Sequence, residues 1–285
     1  MRGNSKLRCL FGMIVFVVAT TLCANAQTPA PTPSGPSLEK DFFKNILKDQ
    51  KAIWTAPFHL ERSDTKWIVP GSIGLMALFT TDRITGDEIG ESNRTGLSHA
   101  ISYAGSVYGV SAAAGTFYLI GRKKNDARAR ETGLLIAEAS IDSMIVYGAL
   151  KGITQRARPD DGVERSEFFD GGSSFPSGHA TQAWAMATVI ADEYHDHRSV
   201  QIAAYATATA VSIARFSGHN HYISDVVAGS ALGFGIGKYV YHKRHREVLD
   251  SSGDAGPVSQ SWWPEITPEV NRRTRQYGLG LTWSF

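Results

Sequence analysis

Cysteine is almost missing from this 285-residue chain: the two that occur, Cys9 and Cys23, both fall within the first 23 residues. A disulfide framework and a thiol nucleophile are thereby excluded from the body of the protein. An excess of one charge is missing too, with 29 basic against 27 acidic residues. A nucleic-acid partner would call for a basic domain or stripe, so none is expected. Long uncharged apolar runs are scarce. A membrane-spanning helix needs about 20 predominantly apolar residues, and beyond the N-terminal segment only Thr95 to Gly121 reaches such a length without Asp, Glu, Lys or Arg, diluted by Ser, Gly and His99. The stretch Leu134 to Leu150 carries Glu138 and Asp142, and Val200 to Ala214 lies between Arg198 and Arg215. These charges favour a soluble or peripherally bound domain over an integral membrane one.

What is present begins with a leader. Arg2, Lys6 and Arg8 precede an apolar run from Cys9 to Cys23, and Ala24-Asn25-Ala26 forms a small-x-small cleavage site. Residues 1–26 read as a secretory signal, which places the protein outside the cytoplasm, in the periplasm or cell envelope. Leu22 before Cys23 does not suit a lipoprotein site. Removal of the leader would leave 26 basic and 27 acidic residues, a net charge of −1. Residues 27–38 (QTPAPTPSGPSL) read as an extended Pro-rich linker.

Residues 39–248 show apolar spacing of helical period, broken by Gly, Pro and charged clusters, which predicts an all-α bundle. Helices are expected over about Leu38–Ala52, Pro70–Thr81, Leu97–Gly121, Ala127–Gln155, His179–Tyr194, Val200–Phe216 and Ile223–Tyr241, with Pro70 in a first turn. A long polar loop follows Pro159, with Asp160 and Asp161 solvating its start. The run HKRHR (242–246) reads as a solvated helix end able to touch anionic headgroups. His99 reads as packed, and His195 and His197 as part of a charged helix end. In the tail, 249–285, the alternation of Leu279, Leu281, Trp283 and Phe285 predicts a strand that pairs with Ser261–Val270 in a short β-hairpin.

Three clusters carry chemistry. In Lys151-Gly-Ile-Thr-Gln-Arg-Ala-Arg158-Pro159 the two cations are seven apart, about two helical turns, so on one helix they would share a face and converge on an anion. A guanidinium adds bidentate contacts to phosphate oxygens. The plainer reading is a basic helix C-terminus. In Ser174-Phe-Pro-Ser177-Gly178-His179, glycine permits a tight turn and the free N–H groups of a helix start attract anions; a simple Ser/Gly cap would not account for the histidine. In Arg215-Phe-Ser-Gly-His219-Asn-His221-Tyr-Ile-Ser-Asp225, a helix starting near Asn220 makes His221 and Asp225 an i, i+4 pair. The carboxylate would fix the tautomer and leave the other imidazole nitrogen free as a nucleophile. A metal site on His219 and His221 is the rival, weakened by the neighbouring cations and by the lack of further ligands beyond Asp225.

In this order the clusters resemble the three motifs of the type 2 phosphatidic acid phosphatase (PAP2) superfamily, which also includes bacterial acid phosphatases and vanadium haloperoxidases. Lys-x6-Arg-Pro matches Lys151 to Pro159, Pro-Ser-Gly-His matches Pro176 to His179, and Ser-Arg-x5-His-x3-Asp matches at Arg215, His221 and Asp225, with Ala214 in the place of the serine. The resemblance implies a helical bundle of the PAP2/acid phosphatase type. It further implies His221 as nucleophile, Asp225 as the residue that orients it, His179 as acid and then base, and Lys151, Arg158, Ser177, Gly178 and Arg215 as the phosphate cradle. No metal or cofactor is implied. The substrate would be a phosphorylated small molecule or a lipid phosphate. Two alternatives stand beside this reading: a vanadium-dependent haloperoxidase, with vanadate in the same cradle, and a non-enzymatic helical envelope protein whose cations bind anionic lipid.

Overall fold

The computed structural model describes residues 38–60, 65–88, 101–159, 167–252, 265–271 and 276–282. The leader 1–26, the linker up to residue 37, His99 and the pair Asp160 and Asp161 lie outside the described residues. Helices α1 (Leu38–Thr55), α2 (Thr65–Glu88), α3 (Val107–Lys124), α4 (Ala127–Thr154), α5 (Gly178–Glu193), α6 (Arg198–Ser217) and α7 (Ile223–Ser252) are followed by strands β1 (Glu265–Asn271) and β2 (Gln276–Thr282). The fold is all-α. The two strands pair antiparallel with Pro268 opposite Leu279 and Val270 opposite Tyr277, within the tail where the hairpin is expected.

Local chemistry explains where the helices stop. Ser106 takes extended backbone and its hydroxyl accepts from Gly109 N, starting α3 and dividing the single Leu97–Gly121 helix read from the sequence. Asp126 caps α4 in the same way, accepting from Ala129 N at 3.1 Å. Asn125, left-handed at φ 54°, closes α3, so two residues suffice to turn the chain between antiparallel helices. Pro70 departs from expectation. It is the sixth residue of α2 rather than in its first turn, so the helix there lacks the bond to the Lys66 carbonyl.

α5 is the central helix and packs against α4, α6 and α7. Its alanines at 180, 183, 185, 187 and 191 are all buried, and Val189 and Tyr194 join Val110, Phe117, Leu135, Ile136 and Val240 in the main core. The α5–α7 contact rests on small residues one turn apart. A Cβ on Gly229 would lie 2.5 Å from the Ser177 carbonyl oxygen, one on Gly233 2.1 Å from that of Thr181, and one on Gly237 2.8 Å from that of Ala185. Only hydrogen at these three positions lets the backbones approach so closely.

The far end of α7 overturns the reading of HKRHR as a solvated terminus. Arg244 is fully buried. Its Nε donates to Glu138 of α4 at 2.8 Å and its Nη1 to Glu247 at 2.9 Å, while Nη2 reaches both Asp49 of α1 and Glu138. Lys243 pairs with Asp49 at 2.5 Å, and Gln50 donates to Asp142 at 2.8 Å. The network ties α1 to α4 and α7.

Gly233→Val is expected to destabilise the protein by about 1–3 kcal/mol or more through overpacking against α5. Gly235→Ala, with nothing within 4 Å of its added Cβ, should leave stability unchanged or raise it by up to about 1 kcal/mol. Thermal denaturation of both variants beside the parent distinguishes them.

Candidate functional site

Three helix ends meet at one pole of the bundle: the C-terminus of α4 and the N-termini of α5 and α7. α4 ends at Thr154, with Gln155 left-handed at φ 43°. Arg158 therefore lies beyond the helix, and the shared helical face inferred for Lys151 and Arg158 does not exist. The loop brings them together instead. Residues 167–174 fold back along 154–157, with Phe169 N donating to Thr154 O at 2.8 Å, Gly172 N to Gln155 O at 2.9 Å and Ser174 N to Arg156 O at 2.8 Å. A side chain on Gly172 would place its Cβ 2.1 Å from the Arg156 carbonyl oxygen, so this return requires glycine. Lys151 Nζ then donates to the Ser173 carbonyl, and Arg158 Nη2 lies 3.3 Å from Ser173 Oγ.

Ser177 precedes α5 in extended conformation, and its N–H donates to the Asp225 carbonyl at 2.9 Å. This bond holds the start of α5 against the start of α7. The Ser177 hydroxyl is fully buried and has no hydrogen-bond partner, and Arg215 Nε, on a side chain 8% exposed, has none either. Buried donors normally find partners; two orphans beside a helix N-terminus form a ready anion cradle. Gly178 keeps the α5 start against the Tyr147 ring, 3.0 Å from where its Cβ would stand.

His221 and Asp225 come together, but not on one helix. α7 begins at Ile223, so His221 sits in the preceding turn, and Asp225 Oδ2 accepts from Tyr222 N at 3.0 Å. His221 Nδ1 is 3.8 Å from Asp225 Oδ2, beyond hydrogen-bond length. Ser174 bridges the gap: its hydroxyl donates to Asp225 Oδ2 at 2.5 Å and lies 3.4 Å from Nδ1. The groups that approach one another closely enough to share a metal ion, among the described residues, include neither His219 nor His221.

Sequence reasoning missed Arg156. It is 1% exposed and lies between two carboxylates, 2.7 Å from Asp225 through Nη1 and 2.7 Å from Asp82 of α2 through Nη2. Nη1 also donates to Ser224 Oγ at 2.7 Å, and Ser224 N donates to Asp82 at 3.2 Å. The Phe79, Phe168 and Tyr222 rings surround the guanidinium at 4.4–5.1 Å. The signal available in the sequence was Asp82, a charge at the end of the apolar run that starts at Ile68.

Burial sets the protonation states. It pushes His221 down to about 4, with Asp225 opposing and Arg215 and Lys151 adding to the shift. Burial also lowers His179 to about 3, reinforced by the positive charges of Arg215, His221, Lys151 and Arg158. Burial would raise Asp225, but His221, Arg156 and Ser174 outweigh it and hold the carboxyl below its ordinary range. At neutral pH both imidazoles are uncharged beside three cations, an arrangement that attracts an anion and leaves a free nitrogen lone pair.

Arg156→Ala would leave Asp82 and Asp225 buried without their partner. The expected loss is about 3–5 kcal/mol, read from thermal or chemical denaturation. Arg156→Lys should recover only part of it, because one ammonium does not reproduce the planar fork that spans both carboxylates.

Comparisons with known proteins bear on this geometry. The model of the PAP2 superfamily matches residues 132–248. Lipid A 1-phosphatase of Porphyromonas gingivalis is 36% identical over 70 residues, 24% of this chain and 16% of that protein. The matched segment thus spans about a sixth of the relative's length. A solved structure, the first transmembrane PAP2 type phosphatidylglycerolphosphate phosphatase from Bacillus subtilis, aligns with a TM-score of 0.46 at 21% identity over 72% of this chain and 94% of that one.

The expectation of an exported, soluble or peripheral periplasmic domain is corrected here: α4 is long and apolar enough, by length and composition, to cross a bilayer. The charges that argued against a span in α4 face inward, Glu138 onto Arg244 and Asp142 onto Gln50. Charged side chains in spanning helices take this position. Ile68, Val69, Ile73 and Met76 of α2 are 41–67% exposed, an apolar surface that water does not favour. The family model and the three motifs fall on one segment, which the fold gathers at one pole: residues 132–248 of this chain match the PAP2 superfamily.

Proposed function

We propose that this chain is a membrane-embedded phosphatase that hydrolyses a lipid phosphate through a phosphohistidine at His221. The observation that carries the reading is the pair of buried, unpartnered donors, Ser177 Oγ and Arg215 Nε, at the pole that holds the uncharged His221. Lys151, Arg158 and the N–H groups of the first turn of α5 complete a cradle for three phosphoryl oxygens. His221 presents Nδ1 to Asp225 and Ser174, which leaves Nε2 to attack phosphorus as the ester oxygen departs. His179 gives that oxygen its proton, then takes one from the water that cleaves the phosphorus–nitrogen bond. The cations and Ser177 stabilise charge on the equatorial oxygens throughout. No cofactor enters these steps.

A lipid substrate is supported by the exposed apolar face of α2, the helix whose Asp82 reaches the site through Arg156, and by relatives whose names specify lipid phosphatases. Such a face offers acyl chains a path to the headgroup site along the bilayer.

The test is phosphate release by the full chain in detergent micelles, without added divalent metal, from a phosphatidate, an isoprenyl diphosphate and a soluble aryl phosphate. Release is expected, with preference for the lipids, no stimulation by Mg²⁺ and a loss of about 10³-fold or more in His221→Ala. Halide oxidation on addition of vanadate without any phosphate release would replace the reading with a haloperoxidase. Release unaffected in His221→Ala would remove the phosphohistidine.

The pH profile follows from the lowered His221. The nucleophile is deprotonated above about pH 4 and protonated below it, so kcat/KM, corrected for ionisation of the substrate, should fall on the acid side with a midpoint near 4 and not near the ordinary histidine value of about 6.5. His179 is lowered first by burial and then by the neighbouring cations, and a bound phosphate offsets the cationic part. The basic limb of kcat, which reports the complex, should accordingly lie well above 3.

A further inference from the structure

The pole opposite the catalytic site gathers a second set of donors. Glu131 lies near the start of α4, Glu193 is the last residue of α5, and His245 is on α7 just past the buried Arg244. One donor atom from each lies within 4.8 Å of the other two. His179 and Glu193 stand fourteen positions apart on or at the ends of α5, which at the helical rise separates this cluster from the catalytic imidazole by about 20 Å.

Glu193 is 5% exposed, and its Oε1 is buried with no hydrogen-bond partner. Arg128 attracts the Glu193 carboxylate but gives its Oε1 no hydrogen bond. Arg128 donates to the Glu193 backbone carbonyl at 2.8 Å, pairs with Asp196 and lies over the Tyr194 ring at 4.4 Å. Lys238 is engaged with Asp192 at 2.6 Å. Arg130 attracts Glu131 but is on α4 itself. A buried carboxylate oxygen with no donor is costly, more so with a second carboxylate beside it. The His245 ring is held in place by the Tyr241 ring, at 4.2 Å between centroids and 31° between planes.

We propose that Glu131, Glu193 and His245 bind one divalent transition-metal ion, Zn²⁺ by ligand class, which fastens together the non-catalytic ends of α4, α5 and α7. Two carboxylates and an imidazole suit Zn²⁺ among the first-row ions, whereas Mg²⁺ and Ca²⁺ prefer oxygen alone. Two negative ligands and a neutral one cancel the ion's charge in a buried setting, and a water completes the coordination. The role is structural, at a distance from the phosphoryl chemistry and independent of it.

Metal content and stability of the full chain in detergent test this directly. Protein stripped with chelator and titrated with Zn²⁺ should take up one equivalent, and its Tm should rise by about 5 °C at a hundredfold excess over Kd. Co²⁺ in place of Zn²⁺ should give a visible absorption band of low coordination number. His245→Ala and Glu193→Gln should each weaken binding by about 100-fold or more, while His197→Ala, on the neighbouring turn, should not. If His245→Ala does not fold, Glu131→Gln reports on the same ligand set. Less than half an equivalent of Zn²⁺ on the parent chain, unchanged affinity in the ligand variants, or loss of binding in His197→Ala would each overturn the site.

Discussion

One guanidinium, Arg156, holds the pole with the candidate site in register. It emerges from the loop after α4, reaches Asp82 at the end of α2 and Asp225 at the start of α7, and is enclosed by three aromatic rings. Asp225 in turn accepts from Ser174 and the Tyr222 N–H, while its own carbonyl takes the Ser177 N–H. Four segments distant in sequence are thus fixed through one buried ion cluster. A buried charge of this kind is specific because the geometry that satisfies both carboxylates is narrow.

The helices supply the rest of the arrangement by how they end. α4 finishes in a left-handed residue and releases a loop that returns on itself, α5 begins at Ser177, and α7 begins just after His221. Close α5–α7 packing on Gly229, Gly233 and Gly237 places two of these ends side by side. The same three helices run to the other pole, where Glu131, Glu193 and His245 meet. A set of three helices therefore presents one cluster at each end, cationic at the pole with the candidate site and acidic at the other.

The membrane question turned on what a charge in an apolar run signifies. Glu138 and Asp142 read as marks of an aqueous environment when counted along the chain. In the fold they turn inward, and Arg244, from a run that read as solvated, is the partner of Glu138. Sequence counting treats each charge as facing solvent, and pairing at a separation of about a hundred residues is invisible to it.

From the sequence alone came the all-α class and most helix positions, because helical periodicity is a local property; it was the resemblance to the PAP2 motifs that implied Lys151, Arg158, Ser177, His179, Arg215, His221 and Asp225 as one candidate site. Helix ends were less legible: Ser106 and Gln155 change the chain's direction by backbone conformation, and the face shared by Lys151 and Arg158 dissolved once α4 stopped at Thr154. Only the tertiary structure decided that Arg156, not its neighbours, is the buried cation, that Ser174 stands between His221 and Asp225, and that Glu131, Glu193 and His245 meet. Each of these depends on contacts between segments whose separation carries no period, and packing in three dimensions is the physical quantity that fixes them.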